Sequence, residues 1–468
     1  MSMVDSLPLV TVYIPSRNYG KYLGQALDSL LAQLHTNWEA IVVDEASEDD
    51  THIIITKYSQ LDARITSIRN ETPVGLQRVA NRALSLARGK YIVRLDADDW
   101  FDENALLVMV AKLESNPKIG IVYGNYFYTD EAGRVIGSER RHRLGEEDMA
   151  GHLAPHGACT MVRTRSLKAV GGYSEDIGAQ DGWELWYKLQ NRIGAASLNI
   201  PVFYYRQHGS SLSRDSNRLL LARARIFERL SRSIQGDYKP SCLAVIPVRE
   251  SYPDFQGVPY RRYDGLSFLE RAILSAANAE SVTHVVVSSE SEDVLRFSAD
   301  LEAKGRVPQH IRALRDCASS QPGLIPIREI MLHAGRMFDH STGSPPDIVT
   351  FHSIHAVNRR AEHIEKALNI IRLTESDSVV SVQEEREPMF HHGKSGLDLL
   401  NPGRLRDLAY DRERIYRFNG AILGCWWDLL LEGALLGDKI SYIEMSPVDS
   451  LQITMSSMLE NRSGVVVP

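Results

Sequence analysis

Three carboxylates, Asp96, Asp98 and Asp99, follow directly on the apolar run Tyr91-Ile92-Val93. A buried strand that ends in clustered acids delivers them to the carboxyl edge of a parallel sheet, where α/β proteins bind ligands. Carboxylates crowded there repel one another unless a cation such as Mg²⁺ or Mn²⁺, with bound phosphate, sits among them. The plainer alternative is an acidic turn capping the helix that begins near Asp102-Glu103-Asn104. A second acid, Glu45, closes another apolar run, Ala40-Ile41-Val42-Val43. Asp49, Asp50 and Thr51 just beyond it read as a helix cap.

Elements of the right kind stand before each of these groups. Val10 to Ile14 is β-branched and aromatic and stops at Pro15, before the polar loop Ser16-Arg17-Asn18-Tyr19-Gly20. Helical spacing of Leu23, Ala26, Leu27, Leu30 and Leu31 follows, then the strand ending at Glu45. A third strand around Ile65 to Ile68, a helix from Gln77 to Ala87 and a turn at Gly89-Lys90 lead into the acidic strand. Such alternation predicts a parallel sheet with helices on both faces. A helix from about residue 214 to 234 carries Arg218, Arg223, Arg225, Arg229 and Arg232 among leucines. It reads either as a packing helix or as a basic face for peripheral contact with an anionic membrane. Gln235 to Pro240 breaks it as a linker, and the pattern restarts with Cys242 to Pro247, a loop bearing Arg249, Arg261 and Arg262, and a helix from Ser267. The fold class expected is α/β, two tandem Rossmann-like nucleotide-binding domains over residues 1–235 and 236–468.

The 468 residues carry a net charge of -7, which argues against a nucleic-acid partner. Four scattered cysteines without a CxxC pair indicate neither zinc nor disulfides and fit a reducing cytoplasm. No secretion signal is read at the N-terminus. The apolar stretch from Gly420 to Gly437 is interrupted by Asp428 and Glu432 and reads as core.

Ile14-Pro15-Ser16-Arg17-Asn18, Val42-Val43-Asp44-Glu45-Ala46-Ser47, Ala87-Arg88-Gly89-Lys90-Tyr91 and Leu95-Asp96-Ala97-Asp98-Asp99 together resemble the family 2 glycosyltransferases of the GT-A fold. The resemblance implies an inverting, metal-dependent transfer from a nucleotide sugar, UDP-linked in the simplest case, to a surface-glycan or lipid-linked acceptor. It implies that Pro15, Arg17, Glu45 and Asp96 bind the donor nucleotide and that Asp98, Asp99 and His208 hold Mg²⁺ or Mn²⁺. Gln180-Asp181-Gly182-Trp183-Glu184 resembles the segment with the catalytic base, which makes Asp181 that base and Glu184 its local competitor. The family commonly has a second Asp where Glu45 stands and a Gly where Ala46 stands. A lipid-linked acceptor implies work at the inner face of the cytoplasmic membrane.

The second half, through Val245-Ile246-Pro247-Val248-Arg249, Asp377 to Val382 and Tyr416-Arg417-Phe418-Asn419-Gly420, resembles the cytidylyltransferases that make CMP-activated acidic sugars. This implies CTP binding by Arg249, Arg261 and Asn419, with an acidic sugar as co-substrate. Gln256 stands where that family has Lys, and Gln452-Ile453-Thr454 replaces its metal-binding D-x-D. Two readings therefore stand, a bifunctional enzyme and a non-catalytic module for interaction or homo-oligomer assembly.

Overall fold

The computed structural model describes residues 7–139, 157–177, 179, 181–190, 192–209, 216–235, 239–315, 326–385, 387–393, 396–401, 415–455 and 458–459. The chain forms two compact units, residues 1–226 with 386–413 and residues 227–385 with 414–468. This compares with the division expected at residue 235.

In the first unit, β1 (Val10–Ser16), α1 (Gly20–Leu31), β2 (Trp38–Glu45), α2 (Thr51–Leu61), β3 (Ile65–Asn70), α3 (Leu76–Leu86) and β4 (Tyr91–Arg94) alternate as the sequence predicts. Then come β5 (Trp100–Phe101), α4 (Ala105–Ser115), β6 (Ile119–Thr129), β7 (Val135–Glu139), β8 (Thr160–Arg163), α5 (Thr164–Ala169), α6 (Asp181–Gln190) and β9 (Gly194–Arg206), followed by α7 (Ser216–Gln235), whose residues from Phe227 onward belong to the second unit. Among the described residues the strand order is β3-β2-β1-β4-β8-β6-β9-β5, with β7 beside β6. The sheet is mixed: β1 to β4 run parallel, but β8 is antiparallel to both β4 and β6. Alternation along β1 sends Val10, Val12 and Ile14 into a layer with α1 and α4, and Tyr13 into one with α3 and α6. Burial on both faces is why these strands read as unbroken apolar runs. At Gly89 a Cβ would lie 2.5 Å from the Thr11 amide nitrogen. Only glycine lets this turn pass so close to β1, which sets the start of β4.

On α7, Leu220, Ala222, Ala224, Ile226 and Phe227 are buried. The Arg223 guanidinium lies 5.1 Å from the Trp183 ring centroid, Arg225 donates to the Asp176 carbonyl, and Arg232 pairs with Glu228 at 2.6 Å. These contacts favour the packing reading of the helix.

The second unit comprises β10 (Cys242–Val248), β11 (Arg262–Tyr263), β12 (Leu266–Ser267), α8 (Phe268–Ala277), β13 (His284–Ser289), α9 (Glu292–Ala303), β14 (Ile311–Leu314), α10 (Ile327–Thr342), β15 (Ile348–His352), α11 (Ala361–Leu373) and β16 (Ser378–Glu385), followed by β19 (Ile415–Trp426), α12 (Trp427–Leu431) and β20 (Ile440–Glu444). The intervening hairpin β17 (Phe390–Gly393) and β18 (Gly396–Leu399) groups with the first unit. The order β14-β13-β10-β15-β19-β16-β20 makes a second α/β sheet, parallel from β14 to β15, with β19 antiparallel to both neighbours. Ser267 and Glu270 form a capping box on α8, where the sequence predicts that helix to start.

Candidate active site

The loops that follow β1 and β2 are laced together by side chains. Asn18 donates its amide to Ser47 Oγ at 3.0 Å and accepts from the Glu48 amide at 2.9 Å. The Tyr19 amide donates to Thr51 Oγ1 at 3.1 Å. Asp49 accepts from the amides of Gly20 at 2.9 Å and Thr51 at 3.0 Å, so one carboxylate serves the N-termini of both α1 and α2. Asp49 thus fills the capping role, and Asp50, which immediately precedes α2, makes no side-chain cap bond. Pro15 is half-buried beside Val43, and Arg17 is exposed at the loop tip.

Glu45 is spent inside the protein. Its carboxylate accepts from Asn70 Nδ2, from the Val74 amide at 3.0 Å and from the Gly75 amide at 2.8 Å. It therefore closes the loop from β3 into α3. The next residue, Ala46, has φ of 56°, in the left-handed region where the resemblance would place glycine. Asp44, part of the same acidic strand end, is buried, accepts from the Ser47 amide at 2.9 Å and lies 3.4 Å from Arg69 Nε.

At the end of β4 the chain turns sharply, the Asp99 amide donating to the Asp96 carbonyl at 3.1 Å. Asp96 is half-buried and paired with Arg94 Nε at 2.9 Å. Asp98 meets His208 from beyond β9, with 2.9 Å between Oδ2 and Nε2. Tyr19 packs edge-on to the His208 ring at 5.8 Å, and Tyr22 covers it at 5.0 Å. Burial, and then the charges of Asp98, Asp96 and Asp99, hold the Tyr19 hydroxyl well above the ordinary phenol range.

Asp99 is more deeply buried than Asp98. It is 1% exposed and accepts from the Arg206 amide at 2.9 Å. Burial, and then Asp98 and Asp96, push its carboxyl well above the usual range. Asp98 and His208 converge while Asp99 is held by the backbone of β9, and among the described residues no group of three His, Cys, Asp or Glu side chains is arranged to hold a metal ion. Of the three residues expected to hold a metal, Asp98 and His208 are in direct contact, while Asp99 Oδ2 is buried without a hydrogen-bond partner among the described residues. That pair, one carboxylate oxygen and one imidazole nitrogen, suits Mn²⁺ or Mg²⁺ if phosphate and water complete the shell.

Asp181 opens α6, and its side chain lies outside the described residues. Its competitor Glu184 is buried, paired with Lys188 Nζ at 2.9 Å and accepting from the Ser174 amide at 3.0 Å. A carboxylate so engaged is structural. The preceding turn, Gly171-Gly172-Tyr173, is tied to α3 by Asn81, which bonds both the amide and the carbonyl of Tyr173 at 2.9 Å.

The nucleotide-binding residues expected in the second unit fare differently from one another. Asn419 is buried; it accepts from Ser381 Oγ at 2.6 Å and the Ala421 amide at 3.1 Å, and it donates to Ser450 Oγ at 2.9 Å. These bonds tie β19 to β16 and to the segment after β20. Arg261 is exposed and donates to the Gln256 carbonyl at 3.2 Å. Arg249 lies at the carboxyl end of β10, 4.0 Å from Glu290.

Residues 11–218 match the family described as Glycosyl transferase family 2. The UDP-Glc:alpha-D-GlcNAc-diphosphoundecaprenol beta-1,3-glucosyltransferase WfgD of Escherichia coli is 28% identical over 242 residues, which cover 51% of this chain and 89% of that enzyme. The chondroitin synthase of Escherichia coli is 27% identical over 209 residues, 44% of this chain but 30% of that protein. The S. aureus TarS fragment 1–349, solved with UDP-GlcNAc, has a TM-score of 0.41 and 20% identity, covering 47% of this chain and 66% of the fragment. The strand-end loops, the acidic turn and these sequence matches together define the N-terminal half as a glycosyltransferase.

Proposed function

We propose that the first unit is an inverting glycosyltransferase that moves a sugar from a nucleoside-diphosphate donor, UDP-linked in the simplest case, onto the glycan or lipid-linked acceptor of a surface polysaccharide. The observation that carries it is the Asp98–His208 contact of 2.9 Å at the carboxyl edge of the sheet, beside the loops of β1 and β2. The names of the E. coli relatives, one acting on a diphosphoundecaprenol-linked sugar and one a polysaccharide synthase, support this acceptor class.

In this reading Pro15, Arg17 and Asp96 line the nucleoside side of the cleft, while Glu45 fixes its wall. Asp98 and His208 would hold Mg²⁺ or Mn²⁺, which would neutralise charge on the departing diphosphate. Asp181 takes the proton from the acceptor hydroxyl as that oxygen attacks the anomeric carbon. The test is calorimetric titration of the full chain with UDP, GDP, CDP and TDP, with and without Mn²⁺. One nucleoside diphosphate should bind in a Mn²⁺-dependent manner, and absence of binding by all four would refute the reading.

One observation favours a ligand role for the second unit. Arg315, just beyond β14, is 6% exposed, and its Nε and Nη1 have no hydrogen-bond partner among the described residues. Its Nη2 reaches Glu290, the residue that also faces Arg249. A buried guanidinium with spare donors at the carboxyl edge of β10, β13 and β14 supports recognition of a phosphate-bearing ligand such as CTP. Gln452, which stands where the resemblance places a metal-binding acid, donates to the Asn419 carbonyl at 2.9 Å, and the nearby acid Asp449 is engaged by Ser446, Arg360 and His363. These engagements favour binding over nucleotidyl transfer. CTP should therefore bind the full chain and lose affinity in Arg315→Ala, without pyrophosphate release when acidic sugars are added.

A further inference from the structure

Arg206 ends β9, two residues before His208, and each of its nitrogens donates a hydrogen bond. Its amide donates to Asp99 Oδ1 at 2.9 Å and its Nε to the Asp98 carbonyl at 2.9 Å. Nη1 donates to the Glu131 carbonyl at 2.7 Å, and Nη2 donates to Gln25 Oε1 at 2.6 Å. The guanidinium carbon also lies 4.7 Å from the ring centroids of both Tyr22 and Trp100. Trp100 is in turn stacked on Tyr204 at 5.0 Å, with 8° between the rings. The side chain is 3% exposed, so this charge has left water and depends on these partners.

The partners belong to separate parts of the fold. Gln25 is on α1, Asp98 and Asp99 are in the acidic turn, and Glu131 follows β6. From the geometry we infer that Arg206 is a positioning residue, a clamp that fixes the distance between Asp98 and His208. The two groups arrive from different strands, and their short contact needs the turn and the end of β9 to keep one registry. Arg206 supplies it twice, through its amide to the side chain of Asp99 and through its Nε to the backbone of Asp98. The links to Gln25 and Glu131 then hold the guanidinium plane so that Nε points at that carbonyl. Tyr22 completes the device, because it contacts both the Arg206 guanidinium and the His208 ring. A lysine keeps the charge but offers one ammonium in place of a planar fork and cannot serve three separated acceptors in fixed directions.

This role rests on the proposed transferase reading only in its consequence for metal binding, and the test separates the two. Arg206→Lys in the full chain is crystallised, and its Mn²⁺ affinity is measured by electron paramagnetic resonance in the absence of donor. The expected result is a folded protein in which Asp98 Oδ2 and His208 Nε2 separate beyond hydrogen-bond range, about 3.5 Å. Mn²⁺ affinity should fall about tenfold or more, the usual effect of losing a group that orients metal ligands. An unchanged separation with unchanged Mn²⁺ affinity would overturn the inference. If the lysine variant does not fold, Gln25→Ala decides, since it frees only Nη2: a measurable loss of Mn²⁺ affinity supports the clamp, and none overturns it. If the wild-type chain binds no Mn²⁺, the metal reading fails and the crystallographic separation alone judges the clamp.

Discussion

Replacing Glu45 by alanine separates two uses of the same carboxylate. Glu45 is 6% exposed and accepts from Asn70, Val74 and Gly75. A buried donor left without its acceptor costs about 1–3 kcal/mol. The Asn70 side chain has a second bond, from Arg82 Nη1 to its Oδ1 at 2.6 Å, that holds it in place. The amides of Val74 and Gly75 lie in an exposed loop, where water replaces part of the loss. A total of about 2–4 kcal/mol follows. For a unit of this size each kcal/mol moves the melting temperature by roughly 2–4 °C, so a fall of about 4–16 °C is expected. Differential scanning calorimetry of the full chain reads it, in parallel with nucleoside diphosphate titration. A melting temperature unchanged within 1–2 °C, roughly the noise of that conversion, combined with lost nucleotide binding, would refute the reasoning, because the carboxylate would then be free for the base.

Two further outcomes follow from local chemistry. Ala46 at φ of 56° bears the left-handed cost of about 1–2 kcal/mol, against which glycine brings an entropic penalty of about 0.5–1 kcal/mol. Ala46→Gly should therefore raise stability by a few tenths to about 1 kcal/mol in urea unfolding, and a destabilised variant would contradict the assigned backbone. In the second unit, burial and then the Arg359 charge hold the His352 imidazole well below its ordinary 6.5. The unfolded chain takes up a proton below 6.5 that the folded chain refuses, so stability is full above that pH and falls below it. The slope is at most about 1.4 kcal/mol per pH unit for this one group. His352→Gln should make urea unfolding of the full chain less steeply pH-dependent between pH 6.5 and 5, and an unchanged slope would show that other groups carry it.

The strands that hold the site were legible because buried parallel strands are written as continuous β-branched runs, and each run here stops at a polar or acidic residue. Glu45 was legible as a strand tip but not as a loop clamp, because two of its partners are backbone amides that any sequence would supply. Which of Asp98 and Asp99 faces the cleft depends on one turn after β4, and three adjacent acids give no periodicity to decide it. Arg206 gave no local signal. Its partners Gln25, Asp98 and Glu131 lie 181, 108 and 75 residues away, so only the folded sheet brings them to it. The bonds of Asn419 were hidden for the same reason, its partners Ser381 and Ser450 being 38 and 31 residues distant.

The central claim, that the acidic turn and His208 serve donor cleavage in the first unit, is tested most directly by nucleotide release. Full-length protein, Mn²⁺ and a panel of UDP- and GDP-sugars are assayed with undecaprenyl-diphosphate-linked and oligosaccharide acceptors, wild type beside Asp98→Ala. Release from at least one donor by the wild type is expected, with a loss of about a hundredfold or more in the variant, equivalent to about 2.7 kcal/mol of transition-state stabilisation. A variant that releases nucleotide at the wild-type rate would contradict it.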